Sequence, residues 1–227
     1  MTQHGFGRLP GVDPRDQNFT IARLLAEAPP IAYPTRKYWW QDGFWGDQKD
    51  TPMCVSYSLV HWLEDGPISH KPKGRDTGTP FDPAAIYREA QELDEFPGNA
   101  YEGTTVRAGA KALQARGLIE SYHWAWSLDE TIKAILSEGP VVIGSNWYST
   151  MMDVDLGGIL SVGGTILSGH AYVLNGVTMK RELVRAKNSW GRQSWGVSGY
   201  AYIRFTDLER LIREDGEVML AVEAKDQ

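Results

Sequence analysis

Helix signals crowd the first half of this 227-residue chain and strand signals the second. That segregation points to an α+β fold in two lobes, because each kind of element has to bury its apolar side against a layer of its own. Thr51-Pro52 sets an N-cap and a first helical residue ahead of "MCVSYSLVHWLED", and Asp82-Pro83 does the same for "PAAIYREAQELDE". Thr105 caps "VRAGAKALQAR", which Gly117 ends. Ser127 with Glu130 is a capping box for "LDETIKAILSE", and Thr206 with Glu209 repeats that signature for a short late helix. Strands follow in "PVVIGS", "HAYVLNGVTM", "ELVRAKN", "GYAYIRF" and "EVMLAVEA", with Gly176 and residues 178–181 as bulge or turn positions. Ahead of these elements, "FTIARLLAEA" reads as a short helix and "PPIAYPTRKYWW" as an extended lead-in, since proline disfavours helix before it. "HKPKGRDTGTP" reads as a polar loop.

Hydrophobic residues make up 42% of the chain, enough for one large core or two lobes around a shared one. Lys+Arg number 23 against Asp+Glu 29, a net charge of -6, which lacks the positive field of a nucleic-acid binder. No stretch reaches the roughly 18 unbroken apolar residues of a membrane span. The opening "MTQHGFGRLPGVDPRDQNF" has no basic start leading into an apolar run. The single cysteine, Cys54, excludes an intrachain disulfide and fits a reducing compartment. A cytoplasmic protein is expected. "DVDLGG" lacks an acidic fifth and a glutamate twelfth position, so it is no calcium loop. Nothing reads as a zinc or nucleotide site, and no cofactor or metal is expected.

Cys54 falls in the first turn of the helix that Thr51 would cap, where free N–H groups and the helix dipole favour a thiolate. A lone thiol is also a common small core residue. The choice turns on a base, an orienting group and an oxyanion donor. His61 lies seven residues along the same helix, roughly 10 Å away, and cannot be the base. His4 and His70 read as solvated, and His123 remains a weaker candidate. His170 opens the strand "HAYVLNGV" behind Ser168-Gly169, where a glycine lets another element come close. If that strand pairs with "ELVRAKN" as a hairpin, His170 faces Asn188, whose side-chain oxygen can accept an imidazole N–H and set the tautomer.

These segments resemble the papain-like cysteine peptidases. "GDQKDTPMC" has a Gln-to-Cys step of 54 − 48 = 6; "SGHAYVLNGV" is similar to the family's His strand, and "KNSWGRQSWGVSGYAYIR" to its Asn-Ser-Trp-Gly segment. "YEGTTVRAGAKALQARG" resembles the glycine-bearing stretch that lines substrate subsites. The likeness covers residues 35–224 and implies a helical lobe at about 48–125, an antiparallel sheet or barrel lobe at about 126–224, and a cleft between them. Residues 1–34 form an extension. Thr-Pro-Met before the thiol and Val55 after it depart from the family, and the His170 spacing of 170 − 54 = 116 is short.

The resemblance implies an endopeptidase acting on protein or peptide substrates. Cys54 would be the nucleophile, His170 the base and then the acid, Asn188 its orienter, and Gln48 an oxyanion donor beside the Cys54 N–H. Trp190 would cover the His–Asn bond. Gly103 would present backbone to substrate, with Thr104, Gly144 and Ser168 near the second specificity pocket, where small uncharged residues favour an apolar side chain. No long inhibitory segment precedes the domain, so activity is expected without N-terminal removal, with residues 19–28 as the stretch able to lie over the cleft. An amidase or transferase with the same thiol chemistry, or a silent papain-like binding module, are the competing readings.

Overall fold

A computed structural model describes residues 4–11, 13–26, 35–39, 44–66, 78–98 and 100–224. Among them are six α-helices: α1 (Ile21–Ala26), α2 (Cys54–Asp65), α3 (Pro83–Leu93), α4 (Val106–Ala115), α5 (Leu128–Ser137) and α6 (Phe205–Arg213). Seven strands accompany them: β1 (Arg36–Tyr38), β2 (Ile119–Ala125), β3 (Val141–Tyr148), β4 (Ile166–Thr178), β5 (Leu183–Lys187), β6 (Tyr200–Arg204) and β7 (Glu217–Glu223). The polar loop expected at 70–80 lies mostly outside the described residues, as do residues 27–28 of the first expected helix and residues 29–34 and 40 of the lead-in.

The strands form one open antiparallel sheet in the order β2-β7-β3-β4-β5-β6, so the expected sheet is present and does not close into a barrel. β3 pairs with β4 as far as Leu174, and β1 then takes up the same edge at residues 176–178. The β4–β5 register slips between Leu174 and Gly176, the predicted bulge. A Cβ on Gly176 would stand 2.0 Å from the Tyr38 ring, so only glycine lets β1 close over this point.

Alternation along the central strands builds two cores. Val141, Ile143, Tyr172, Leu174, Val218 and Leu220 face one cluster, which holds α5, α6 and the Trp147/Trp190/Trp195 group. Val142, Ala171, Val173, Met219 and Ala221 face the other, which holds α2 and α4. The sheet is therefore apolar on both faces, and α2 lies against it with its first residue, Cys54, fully buried.

Asp82, Thr105 and Ser127 cap their helices as predicted, accepting from the N–H groups of Ala84, Ala108 and Glu130. The Glu130 carboxylate takes the Trp126 N–H at 2.7 Å, one residue earlier than a reciprocal box requires. Two predicted starts fail. α2 begins at Cys54 with Met53 in the cap position, because the Thr51 hydroxyl turns back to the Gln48 carbonyl at 2.5 Å. α6 begins at Phe205, which places Thr206 inside its first turn. β2 was not expected as a strand; it is an edge strand, and its polar residues Glu120, Ser121 and His123 break the apolar alternation.

A buried polar cluster ties the far end of α2 to the hairpin. Lys187 pairs with Asp65 at 2.7 Å, Asn175 donates to Asp65 at 2.8 Å, and Arg185 donates to Asn175 at 2.8 Å. Lys187 also donates to the Phe44 carbonyl at 3.2 Å. No helix among the described residues is long and apolar enough to cross a membrane.

Candidate active site

The hairpin of β4 and β5 brings two predicted residues together. Its register sets Val173 opposite Lys187, so the strand ends meet, and His170 Nε2 lies 2.8 Å from Asn188 Oδ1. That oxygen also accepts the Ser189 N–H at 2.7 Å, which identifies it as the acceptor and places the imidazole proton on Nε2. Nδ1 is then the basic nitrogen, and it has no hydrogen-bond partner among the described residues. Cys54 meets this pair through the neighbouring backbone, its Sγ accepting the Ala171 N–H at 3.4 Å. Trp190 packs its ring 4.8 Å from that of His170, and Trp147 stands edge-on at the same distance. Both indoles are fully buried, so the His170–Asn188 bond sits in an apolar box.

Gln48 joins from the loop before α2. Its N–H donates to the Ser189 carbonyl at 2.8 Å, and its side-chain oxygen accepts the Ser189 hydroxyl at 2.6 Å. That fixes the amide nitrogen, which donates to the Thr51 carbonyl at 2.7 Å and reaches the Phe6 carbonyl at 3.4 Å. The amide is thus turned toward the N-terminal segment and is already engaged.

Residues 4–9 run through the cleft. His4 stacks on Trp190 at 4.4 Å, although sequence alone read it as solvated. The Gly5 carbonyl accepts the Trp190 indole N–H at 3.0 Å, and Phe6 stands edge-on to His170 at 5.6 Å. The Gly7 carbonyl accepts the Thr104 N–H at 2.9 Å, Arg8 N–H donates to the Gly169 carbonyl at 3.2 Å, and Leu9 N–H donates to the Thr104 carbonyl at 2.9 Å. Gly103 has φ +101, and a Cβ there would stand 2.3 Å from the Gly7 oxygen, so glycine is what admits the segment. The stretch 19–28, read from sequence as a short helix able to lie over the cleft, carries α1 at Ile21–Ala26, whose Ile21 is buried in the α5 core.

Burial governs the electrostatics of the thiol, while the charge and N–H of Arg8 act against it. At the first residue of α2, Cys54 has the helix dipole in its favour, yet burial wins and pushes its pKa up to about 12, against smaller opposing effects from the Ala171 and Val55 N–H groups. Burial likewise pushes His170 down to about 4, with the Asn188 bond opposing. In the covered form both groups are neutral at pH 7, and the depressed thiol pKa expected from helix position alone is not found.

The remaining predicted residues divide. Gly144 faces the Arg8 side chain: a Cβ there would stand 3.0 Å from Arg8 Nε, Glu217 Oε1 and Val106 Cγ2 alike. Thr104 contributes backbone, while its hydroxyl donates to Asp94 at 2.8 Å. At Ser168 the contact falls one residue on, at the Gly169 carbonyl. The small uncharged residues that pointed to an apolar pocket omit its main polar group: Glu217, at the start of β7, pairs with Arg8 at 3.0 Å. Neither residue was singled out from sequence, because each sits alone in its segment and only the fold joins positions 209 residues apart.

An open antiparallel sheet, a helix carrying a buried thiol across one face, and a histidine–asparagine pair at the end of a hairpin define the papain-like α+β fold. Among solved structures the chain is similar to xylellain, a cysteine protease from Xylella fastidiosa, with TM-score 0.74 and 16% identity over 99% of this chain and 98% of that one. It is also similar to the digestive procathepsin L2 proteinase of Tenebrio molitor larval midgut (TM-score 0.61, 14% identity, 96% and 78% of the chains). A structure concerned with the mite allergens Blo t 1 and Der p 1 aligns with TM-score 0.58 and 13% identity over 96% and 75%. No protein family and no curated protein matches the sequence itself.

Proposed function

We propose that the protein is a cysteine peptidase that hydrolyses internal peptide bonds of protein or peptide substrates through Cys54, His170 and Asn188. The observation that carries this reading is the 2.8 Å bond from His170 Nε2 to Asn188 Oδ1, held in a tryptophan box beside a thiol that touches the residue after the histidine. That bond leaves Nδ1 as the base. In the first step the Cys54 proton passes to His170, and an Sγ–C bond forms at the substrate carbonyl. The tetrahedral oxyanion is received by the Cys54 N–H and, once free of its present acceptors, the Gln48 amide; one such donor is worth about 3 kcal/mol in the transition state. The C–N bond then breaks as His170 returns the proton to the leaving amine. Water attacks the thioester, gives its proton to His170, and the thiol is regenerated as the acid leaves.

Substrate has to displace residues 5–9, because Phe6, Gly7 and Arg8 occupy the partners at Gln48, Thr104 and Gly169. The test is intact-mass labelling by a peptidyl epoxide in the unmodified chain and in His170→Ala. The expected result is one adduct per chain, on Cys54, with the variant slower by about 10²-fold or more. Equal slow labelling of both would remove His170 as the base. Rapid labelling with no peptide cleavage would move the reading to an amidase or transferase.

A further inference from the structure

Arg8 does more than pass through the cleft. Its side chain leaves the backbone at Gly169, crosses Gly144 and Val106, and ends on Glu217. The two side chains are 3% and 7% exposed and 3.0 Å apart, and a second guanidinium nitrogen donates to the Asp215 carbonyl at 2.7 Å. Asp215 holds φ +67, a left-handed conformation rare outside glycine, just before Gly216 and Glu217. Burial raises the Glu217 carboxyl pKa and the Arg8 charge lowers it. Such a carboxylate is stable only with a cation, since taking an ion out of water without a partner is costly. Beside the pair lies a cavity of about 580 Å³, bordered by Asp215, Gly216 and Glu217 on one side and by Arg8, Pro10 and Gly11 on the other; the buried Arg8 side chain itself shows that a long cationic side chain reaches Glu217.

The chemistry of the site says which half of a substrate meets this pocket. The leaving amine takes its proton from His170, so the leaving half lies toward His170 and Trp190, where His4 and Gly5 sit. Arg8 and Leu9 lie at the other end, against Thr104 and Gly144. That end holds the acyl half, which in any substrate is N-terminal to the bond cut. The segment therefore runs opposite to a cleavable peptide: it fills the pockets without offering its own bonds in productive order.

We propose that Glu217 is a specificity-determining residue and that the enzyme selects peptides carrying an arginine or lysine side chain on the acyl side of the scissile bond. Arg8 is then an internal occupant of the pocket built for that side chain. This rests on the peptidase reading above. A neutral side chain in the same place leaves the Glu217 carboxylate buried and unpaired.

The test compares two epoxide probes that differ only in the pocket residue, arginine against norleucine, by the rate of Cys54 labelling in the full chain. Four forms are used: unmodified, Arg8→Ala, Glu217→Gln, and the double variant. The arginine probe should label the unmodified chain and Arg8→Ala faster by about 30-fold or more, the cost of unpairing one partner of a buried charge pair. Glu217→Gln should bring the ratio close to one or invert it. If Arg8→Ala fails to fold, the ratio in the unmodified chain decides, because both probes displace the same segment. Fast labelling by both probes with no arginine preference, or a preference that Glu217→Gln leaves intact, would overturn the pocket assignment and reduce Arg8–Glu217 to a fastening of the segment. No labelling by either probe in any form would overturn the peptidase reading first, and the pocket with it.

Discussion

Among the buried ion pairs of the described residues, Lys187–Asp65 and Arg8–Glu217 do different things. Lys187–Asp65 is 1% and 0% exposed, and both partners belong to the permanent framework, β5 and the end of α2. Asn175 and the Phe44 carbonyl add further bonds to it. Arg8–Glu217 is nearly as buried, but its cation arrives on a stretch of chain that joins the rest through a few backbone bonds across the cleft. Burial alone does not tell architecture from occupancy. What separates the pairs is whether each partner has a place of its own in the core. Lys187 and Asp65 lie in a strand and a helix, whereas Arg8 is held by the cleft partners that the proposed function gives to substrate.

The largest effect on folding should come from Lys187→Met, which strands Asp65 in the core and should cost about 3–5 kcal/mol in denaturant unfolding. Arg8→Ala should cost less than half of that, because the segment can lift and let water reach Glu217. Equal losses would make Arg8 part of the framework. Arg8→Ala should also raise the Cys54 labelling rate by about tenfold or more, since uncovering the thiol reverses the burial that sets its pKa near 12.

A pH series sharpens the same point. Below a pKa of about 12 the thiolate fraction rises about tenfold per pH unit, so labelling of the covered chain should climb steadily from pH 6 to 9. In Arg8→Ala the climb should flatten as the thiol and imidazole regain water and can ionise as a pair. A climb of equal slope in both forms would mean that the segment does not control the thiol. Gly169→Ala is a subtler probe: its Cβ would stand 2.2 Å from the Arg8 carbonyl and should loosen the segment, raising labelling a few-fold. The smallest effect should come from Ser127→Ala, which removes a helix cap remote from the cleft for about 1 kcal/mol and leaves labelling unchanged.

The parts of the site legible in sequence are those that local chemistry announces. The helix caps at Asp82 and Thr105, the bulge at Gly176 and the Asn-Ser-Trp-Gly segment each carry their signal within a few residues, and the hairpin then follows from strand lengths. The start of α2 was misplaced because a threonine before a proline can cap a helix or close a loop, and only the position of the Gln48 carbonyl decides between them. β2 was missed because an edge strand has one partner and carries polar residues that blur its period. The occupied cleft lay further out of reach. "HGFGRL" shows no periodicity, and its conformation comes from the walls that clasp it at Gly103, Thr104 and Gly169. The thiol pKa followed it out of reach, since helix position is local and burial is not.

The most direct test of the central account is hydrolysis of an arginine-containing peptide amide by the Arg8→Ala chain, beside the same chain with Cys54→Ser. The account predicts release of amine and acid in equal amounts, a transient acyl adduct on Cys54, and loss of both in the serine variant. Cleavage that persists without the thiol, or no cleavage by a chain whose free Cys54 reacts rapidly with the epoxide in a parallel sample, would contradict it.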